Sequence, residues 1–156
     1  MPADILQLQQ TMRDFHAIAG FPRVIGAIDC SHIPIKAPTE DEEIYVNRKK
    51  FHSINIQVVC DAQRVIINHD VKYPGSTHDA YIWNRRDCGY PLEPSLMTPF
   101  ANPALPAEEE FNRCHTRART IVEQTFVVLK SRFRCLHKSA SNLDQPDDIL
   151  KMPVQG

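Results

Sequence analysis

Asp29, Asp79, Asp87 and Glu123 are the residues of this sequence best suited to chemistry. Asp29 ends the apolar run Val24-Ile25-Gly26-Ala27-Ile28. Asp79 closes Pro74-Gly75-Ser76-Thr77-His78-Asp79, Asp87 opens Asp87-Cys88-Gly89-Tyr90-Pro91-Leu92, and Glu123 sits in a basic, helix-patterned stretch. Carboxylates scattered along a chain and gathered by folding are what a Mg²⁺- or Mn²⁺-dependent phosphodiester enzyme requires. They are hard oxygen ligands for a hard cation. Two such ions, about 4 Å apart, can activate the attacking oxygen and stabilise the leaving one. Nineteen Asp and Glu residues offer many such sets, so the residues around each carboxylate carry the weight.

Cations accompany these acids. Arg113, Arg117, Arg119, Lys130, Arg132, Arg134 and Lys138 face a single acid, Glu123, between positions 113 and 138. Such a local excess can hold phosphates while the whole molecule stays near neutral. A solvated basic helix face is the plainer reading of a charge run of this kind. Arg48-Lys49-Lys50 is a second, shorter basic cluster, readable as a solvated loop or as a contact to a DNA backbone. Other chemistries fit poorly. Cys30, His32, Cys88, Cys114 and His115 match no common zinc spacing. Cys114 and the adjacent His115 diverge by about 100° on a helix, which excludes a nucleophile–base pair.

The elements that must position these residues are set by periodicity. Residues 1–20 read as a helix with Ile5, Leu6, Met12 and Phe15 as its apolar members, closed by Pro22. Val24 to Asp29 reads as a buried strand and His32 to Lys36 as a second extended piece, with Pro34 at an edge or bulge. Residues 38–44 form an acidic loop. Ser53 to Cys60 alternates, with Ile54, Ile56 and Val58 on one face. Asp61-Ala62-Gln63 is a hairpin turn, and Arg64 to Val71 returns as a third strand. Ser76 is placed to cap a helix whose first turn holds His78 and Asp79. Residues 89–107 are proline-rich and irregular. A second helix from about Glu108 to Leu136 carries a core stripe of Val122, Phe126, Leu129, Phe133 and Leu136. Arg119, Glu123, Lys130 and Arg134 lie on the neighbouring stripe. Residues 139–156 read as a polar tail.

The chain has 156 residues, 42% hydrophobic and 24% charged, with a formal net charge of −1. This suits one domain with a core. No apolar run reaches the length of a membrane span, so no membrane partner is expected. Five cysteines without a CxxC pair, and an N-terminus without a signal-peptide layout, point to reduced thiols in the cytosol or nucleus.

Four blocks of this sequence together resemble the Harbinger transposase group, and most closely the Harbinger transposase-derived nucleases of animals. They are Gly26-Ala27-Ile28-Asp29-Cys30-Ser31-His32-Ile33, the Pro74–Asp79 block, the Asp87–Leu92 block and Arg119-Thr120-Ile121-Val122-Glu123-Gln124-Thr125-Phe126. The likeness runs in family order over residues 20–138. It implies an α/β, ribonuclease-H-like fold, here an antiparallel three-strand meander with packed helices. It implies a DDE metal centre in which Asp29, Asp87 and Glu123 are catalytic, with Asp79 as a fourth metal-associated acid, and Mg²⁺ or Mn²⁺ as cofactor. DNA is the implied substrate, with Arg119, Lys130, Arg132 and Arg134 on the nucleic-acid face, and the nucleus is the expected location, with the cytoplasm as a second. The order Arg119, Glu123, Lys130 also resembles a signature of related insertion-sequence transposases, whose tyrosine would fall at Thr116.

Two departures shape the expectations. Only seven residues, Ala80 to Arg86, separate Asp79 from Asp87. The family places there the end of a helix and an apolar strand, so the fold is expected to be truncated between Asp79 and Asp87. The family also implies a DNA-binding region ahead of the nuclease domain. Here residues 1–22 form a helical lead-in, 23–138 the shortened domain and 139–156 a flexible tail, which makes a separate DNA-binding protein the expected partner. The function expected is a transposase-derived DNA endonuclease. The alternative is a catalytically inactive DNA- or protein-binding remnant.

Overall fold

The chain, seen in a computed structural model, is described at residues 5–84, 96–133 and 136. Asp87, Arg134 and the tail 139–156 lie outside the described residues. Helix α1 spans Ile5–Ala19. Strand β1 spans Ala27–Pro34, β2 Ser53–Cys60 and β3 Ile66–Pro74, with a short helix α2 at Glu42–Tyr45. Helix α3 covers Asp79–Asn84, and α4 covers Pro106–Arg132.

The three strands form one antiparallel sheet in the order β1-β2-β3. Asp29 pairs with Val58, Ser31 with Ile56 and His32 with Asn55. The two extended pieces expected at 24–29 and 32–36 are one continuous strand. Pro34 ends it rather than interrupting it, and the pairing with β2 runs unbroken from Ala27 to Pro34. Among the described residues β1 is an edge strand, where the missing N–H of proline is tolerated. The hairpin between β2 and β3 closes as expected. Asp61 Oδ1 accepts from Gln63 N at 2.9 Å and from Val65 N at 2.8 Å.

Side chains alternate across a strand, so Ala27, Asp29, Ser31 and Ile33 share one face of β1. Ile54, Ile56, Val58 and Cys60 continue that face on β2. Helix α4 covers it with Ala118, Ile121, Val122, Thr125 and Phe126, all buried. The Thr125 hydroxyl donates to Cys60 Sγ at 3.4 Å across this seam. Leu129 and Phe133 pack against the same core but are only partly buried. Burial raises the Cys60 thiol pKa. Helix α1 adds Phe15 and Ala19 to this core, while Ile5 and Leu6, expected among its apolar contacts, are exposed. It stops at Gly20, whose φ of 73° suits a glycine after a helix end.

Helix α4 begins two residues before the expected start. Pro106 takes the first helical position, and Glu108 Oε2 accepts from Ala104 N at 2.7 Å and Leu105 N at 3.1 Å. It ends at Arg132 rather than Leu136, because Phe133 leaves the helical region at φ −110°, ψ 85°. Part of the acidic segment 38–44 enters α2. Helix α3 starts at Asp79, with His78 O accepting from Ile82 N at 3.3 Å. The cap position is therefore His78 rather than Ser76, because Thr77 N first closes a turn onto Pro74 O at 2.9 Å.

Phe126 is 7% exposed at the α4–sheet seam. Phe126→Ala should therefore cost about 3–5 kcal/mol, read as a lowered urea midpoint. A loss below about 1 kcal/mol would mean that this helix face is not the core.

Candidate active site and its basic flank

Asp29 stands on the α4 face of β1, between the buried positions Ala27 and Ile33. Its Oδ1 accepts from Cys30 N at 2.9 Å. Arg119 Nη2 donates to Asp29 Oδ2 at 3.4 Å, while the same guanidinium donates through Nε to Glu123 Oε1 at 3.1 Å. Arg119 and Glu123 are four residues apart, one turn of α4, so they meet on one helix face. The helix brings them to the strand because the adjacent stripe, Ala118, Val122 and Phe126, is pressed onto the sheet. The Asp29 side chain is 15% exposed and that of Glu123 is 53% exposed. One carboxylate is thus held in the protein wall and the other reaches solvent.

Two turns further along α4, Lys130 Nζ donates to Ser31 Oγ at 2.6 Å and to His32 O at 3.4 Å. Its stem lies by Phe126, with Nζ 6.0 Å from the ring centroid. Burial pushes the Lys130 ammonium pKa down, and the like charge of Lys49 adds to that. Arg132 is exposed on the last turn of α4.

The other face of the sheet carries a buried polar network. Ser53 and Asn55 are fully buried, and Gln57 nearly so. Asn47 Nδ2 donates to Ser53 Oγ at 2.8 Å, and His32 Nδ1 lies 3.0 Å from the same hydroxyl. Asn55 Nδ2 donates to Asp79 Oδ1 at 2.8 Å and to Thr77 O at 3.2 Å. Gly75 makes this approach possible. A Cβ there would stand 2.4 Å from both Ser53 Oγ and Tyr45 O, so the Pro74–Asp79 turn presses directly on the start of β2. The His32 pKa is lowered, first by burial. The Asp79 carboxylate opposes the shift, while Lys130, Lys49 and Arg48 reinforce it.

Asp29 and Glu123 are therefore brought together, through Arg119. Asp79 is not brought to them. It is bound by Asn55, which pairs with His32, three residues along β1 from Asp29 and on the opposite face. That separation is about 10 Å of strand rise alone. Among the described residues no group of three or more His, Cys, Asp or Glu converges on a point that could hold a metal. The network of His32, Asn47, Ser53 and Asn55 is not legible in the sequence. Its one signal is the polar set Ser53, Asn55 and Gln57 at every second position of β2, which looks the same as a solvated strand face.

The family described as DDE superfamily endonuclease matches this chain over residues 28–87 and 86–152. The chain belongs to this family. The bovine (Bos taurus) protein named "Putative nuclease HARBI1" is 36% identical over 160 residues, covering 91% of this chain and 46% of its own length. The human (Homo sapiens) protein of that name gives the same figures. "Protein ALP1-like" of Arabidopsis thaliana is 24% identical over 165 residues, covering 84% of this chain and 41% of its own. These relatives bear out the Harbinger resemblance. The chain spans about half the length of the curated relatives it matches. No solved structure matches it. Among its described residues no helix is long and apolar enough to cross a membrane.

His32 gives the chain a pH signature. With its folded pKa held below 6.5, His32 stays neutral while the unfolded chain takes up the proton first. Its contribution to stability is complete above pH 6.5 and is lost as pH falls through that value to the folded one. The urea midpoint should therefore fall more between pH 7.5 and 5.5 for the native chain than for His32→Gln. Equal falls in both proteins would mean that His32 is not the titrating group.

Proposed function

We propose that this chain is a divalent-metal-dependent DNA endonuclease domain of ribonuclease-H-like fold, acting on phosphodiesters at Asp29 and Glu123. One observation carries the reading: two carboxylates from opposite halves of the chain converge on the single guanidinium of Arg119. Family membership and the antiparallel meander support it. The residues suit Mg²⁺ or Mn²⁺, since Mg²⁺ is commonly held by one or two carboxylates, with waters and substrate phosphate completing its shell. Asp29 and Glu123 would hold the ion. When bound, it supplies Lewis-acid activation of water and charge stabilisation at the leaving oxygen.

The chain's own residues have distinct parts. Asp29 is fixed by β1 and by its bond to Cys30 N. Glu123 is solvent-accessible and is held on its helix by Arg119 Nε. Arg119 holds the two carboxylates adjacent, and its exposed guanidinium can turn to a phosphate once a cation neutralises the pair. Asp87 is the expected third catalytic carboxylate and lies outside the described residues. The two family matches meet at residues 86–87, which supports a domain shortened at that point. A DNA substrate also favours a nuclear location.

A second reading is a catalytically inactive DNA- or protein-binding remnant. It is favoured by the position of Asp79, engaged by Asn55 on the far face of the sheet.

Metal linkage separates the two. For the nuclease reading, Mn²⁺ at ten times its dissociation constant adds about 1.4 kcal/mol, a rise in Tm of about 3–6 °C for a chain of this size. Asp29→Asn and Glu123→Gln should each remove most of that rise and abolish cleavage of plasmid DNA. An equal shift in the native and Asp29→Asn proteins would leave the remnant reading in possession.

A further inference from the structure

The β1–β2 connection carries a basic turn that is built rather than loose. Asn47 is 4% exposed. Its Oδ1 accepts from Lys49 N at 2.8 Å and from Phe51 N at 3.4 Å, while its Nδ2 is tied to Ser53 Oγ. Its backbone completes the turn: Asn47 N donates to Phe51 O at 3.0 Å, and Lys50 N donates to Asn47 O at 2.9 Å. Lys50 closes it at φ 62°, a conformation unfavourable for a lysine. A merely solvated basic loop needs none of this internal fixing.

The turn delivers its charges to one place. Arg48 Nη2 bonds His78 Nδ1. His78 precedes Asp79, which is bound by Asn55, and Asn55 lies opposite His32 in the sheet. Lys130 reaches the His32 carbonyl from the helix side. Arg48 and Lys130 thus approach the C-terminal end of β1 from two sides, and Lys49 lies beside Arg48 on the anchored turn. Among the described residues none of the three has a carboxylate partner at ion-pair distance. The Lys130 ammonium pKa is lowered first by burial and then by the like charge of Lys49, which accords with this crowding. At His32 these three cations act together, opposed by the Asp79 carboxylate from the far face. Uncompensated cations on a preorganised frame are the counterpart of phosphate oxygens.

We propose that Arg48, Lys49 and Lys130 form a phosphodiester-binding cleft at the end of β1, which seats the backbone of a nucleic acid beside Asp29 and Glu123. The identity of the ligand rests on the endonuclease reading. The cleft itself rests on the turn and on Lys130. Ser31, bonded to Lys130, is two residues from Asp29, about 7 Å along the strand. A backbone held at Lys130 therefore lies on the same face as Asp29, while Arg48 and Lys49 hold it where it rounds the end of β1. The contacts are to phosphate, so binding is indifferent to sequence and sensitive to salt.

The test is binding of a labelled 20-base-pair duplex of arbitrary sequence in EDTA, at several salt concentrations. Arg48→Glu/Lys49→Glu should weaken binding at least tenfold. It should also flatten the slope of log affinity against log salt by about two. Arg23→Glu/Arg64→Glu, a reversal of equal charge at the opposite end of the sheet, should weaken it far less. If the first variant does not fold, Arg48→Ala/Lys49→Ala is read in its place, with the same direction and a smaller loss. Inorganic phosphate should compete no better than chloride of equal ionic strength. Equal losses in the two charge-reversed proteins, or an unchanged slope, overturn the cleft. Displacement by phosphate alone overturns the nucleic acid as its ligand. A protein that lacks cleavage and Mn²⁺ stabilisation but still loses affinity on Arg48→Glu/Lys49→Glu would refute the nuclease reading and leave the cleft standing.

Discussion

The packing of α4 across the β1–β2 face positions most of the groups that could do chemistry. Val122 and Phe126 share one buried core with Ile56 and Val58, and that packing sets both the rotation and the height of the helix. Rotation decides which stripe meets the strand edge, and the stripe next to the apolar one carries Arg119, Glu123 and Lys130. Height decides that Arg119 meets Asp29 and that Lys130 meets Ser31. An apolar seam thus aligns charged groups that would otherwise have no reason to meet, since a solvated ion pair is worth only about 0–1 kcal/mol.

The second face of the sheet solves a different problem. Burying Ser53 and Asn55 is costly unless their polar groups are bonded. Asn47, His32, Thr77 and Asp79 satisfy most of that requirement, while among the described residues Asn55 Oδ1 has no hydrogen-bond partner. Because Asn47 comes from the β1–β2 loop, and Thr77 and Asp79 from the segment after β3, the network ties both connections to the same strand. Gly75 is the point at which a side chain would force them apart.

Much of this architecture is legible in the residues alone. β2 reads to its correct ends because its apolar residues alternate without interruption. Asp29 on a buried strand and Glu123 beside the core stripe of a helix are each legible from strongly patterned apolar sets, and the family resemblance implies that they meet. Other features stay hidden for physical reasons. The start of α4 depends on Pro106 and Glu108 acting together, which periodicity does not register. Asp79 carries the same motif context as the other acids, but which face of the sheet it approaches depends on the register of Asn55 against His32. Arg48 and Lys49 look like any exposed basic run. Their fixing by Asn47 is a tertiary fact, signalled only by an asparagine that proves to be buried.

Among the described residues β1 stands at the sheet margin, with a consequence for how this chain behaves in a crowded solution. A bare strand margin offers unpaired amide groups to any passing chain and invites self-association. Here Pro34 contributes no N–H, the Lys130 ammonium lies against the His32 carbonyl, and the Asp29 carboxylate is turned back onto Cys30 N. The groups that would handle a substrate also interrupt the row of pairing positions. Neutral replacements along this margin would therefore change colloidal behaviour as well as chemistry.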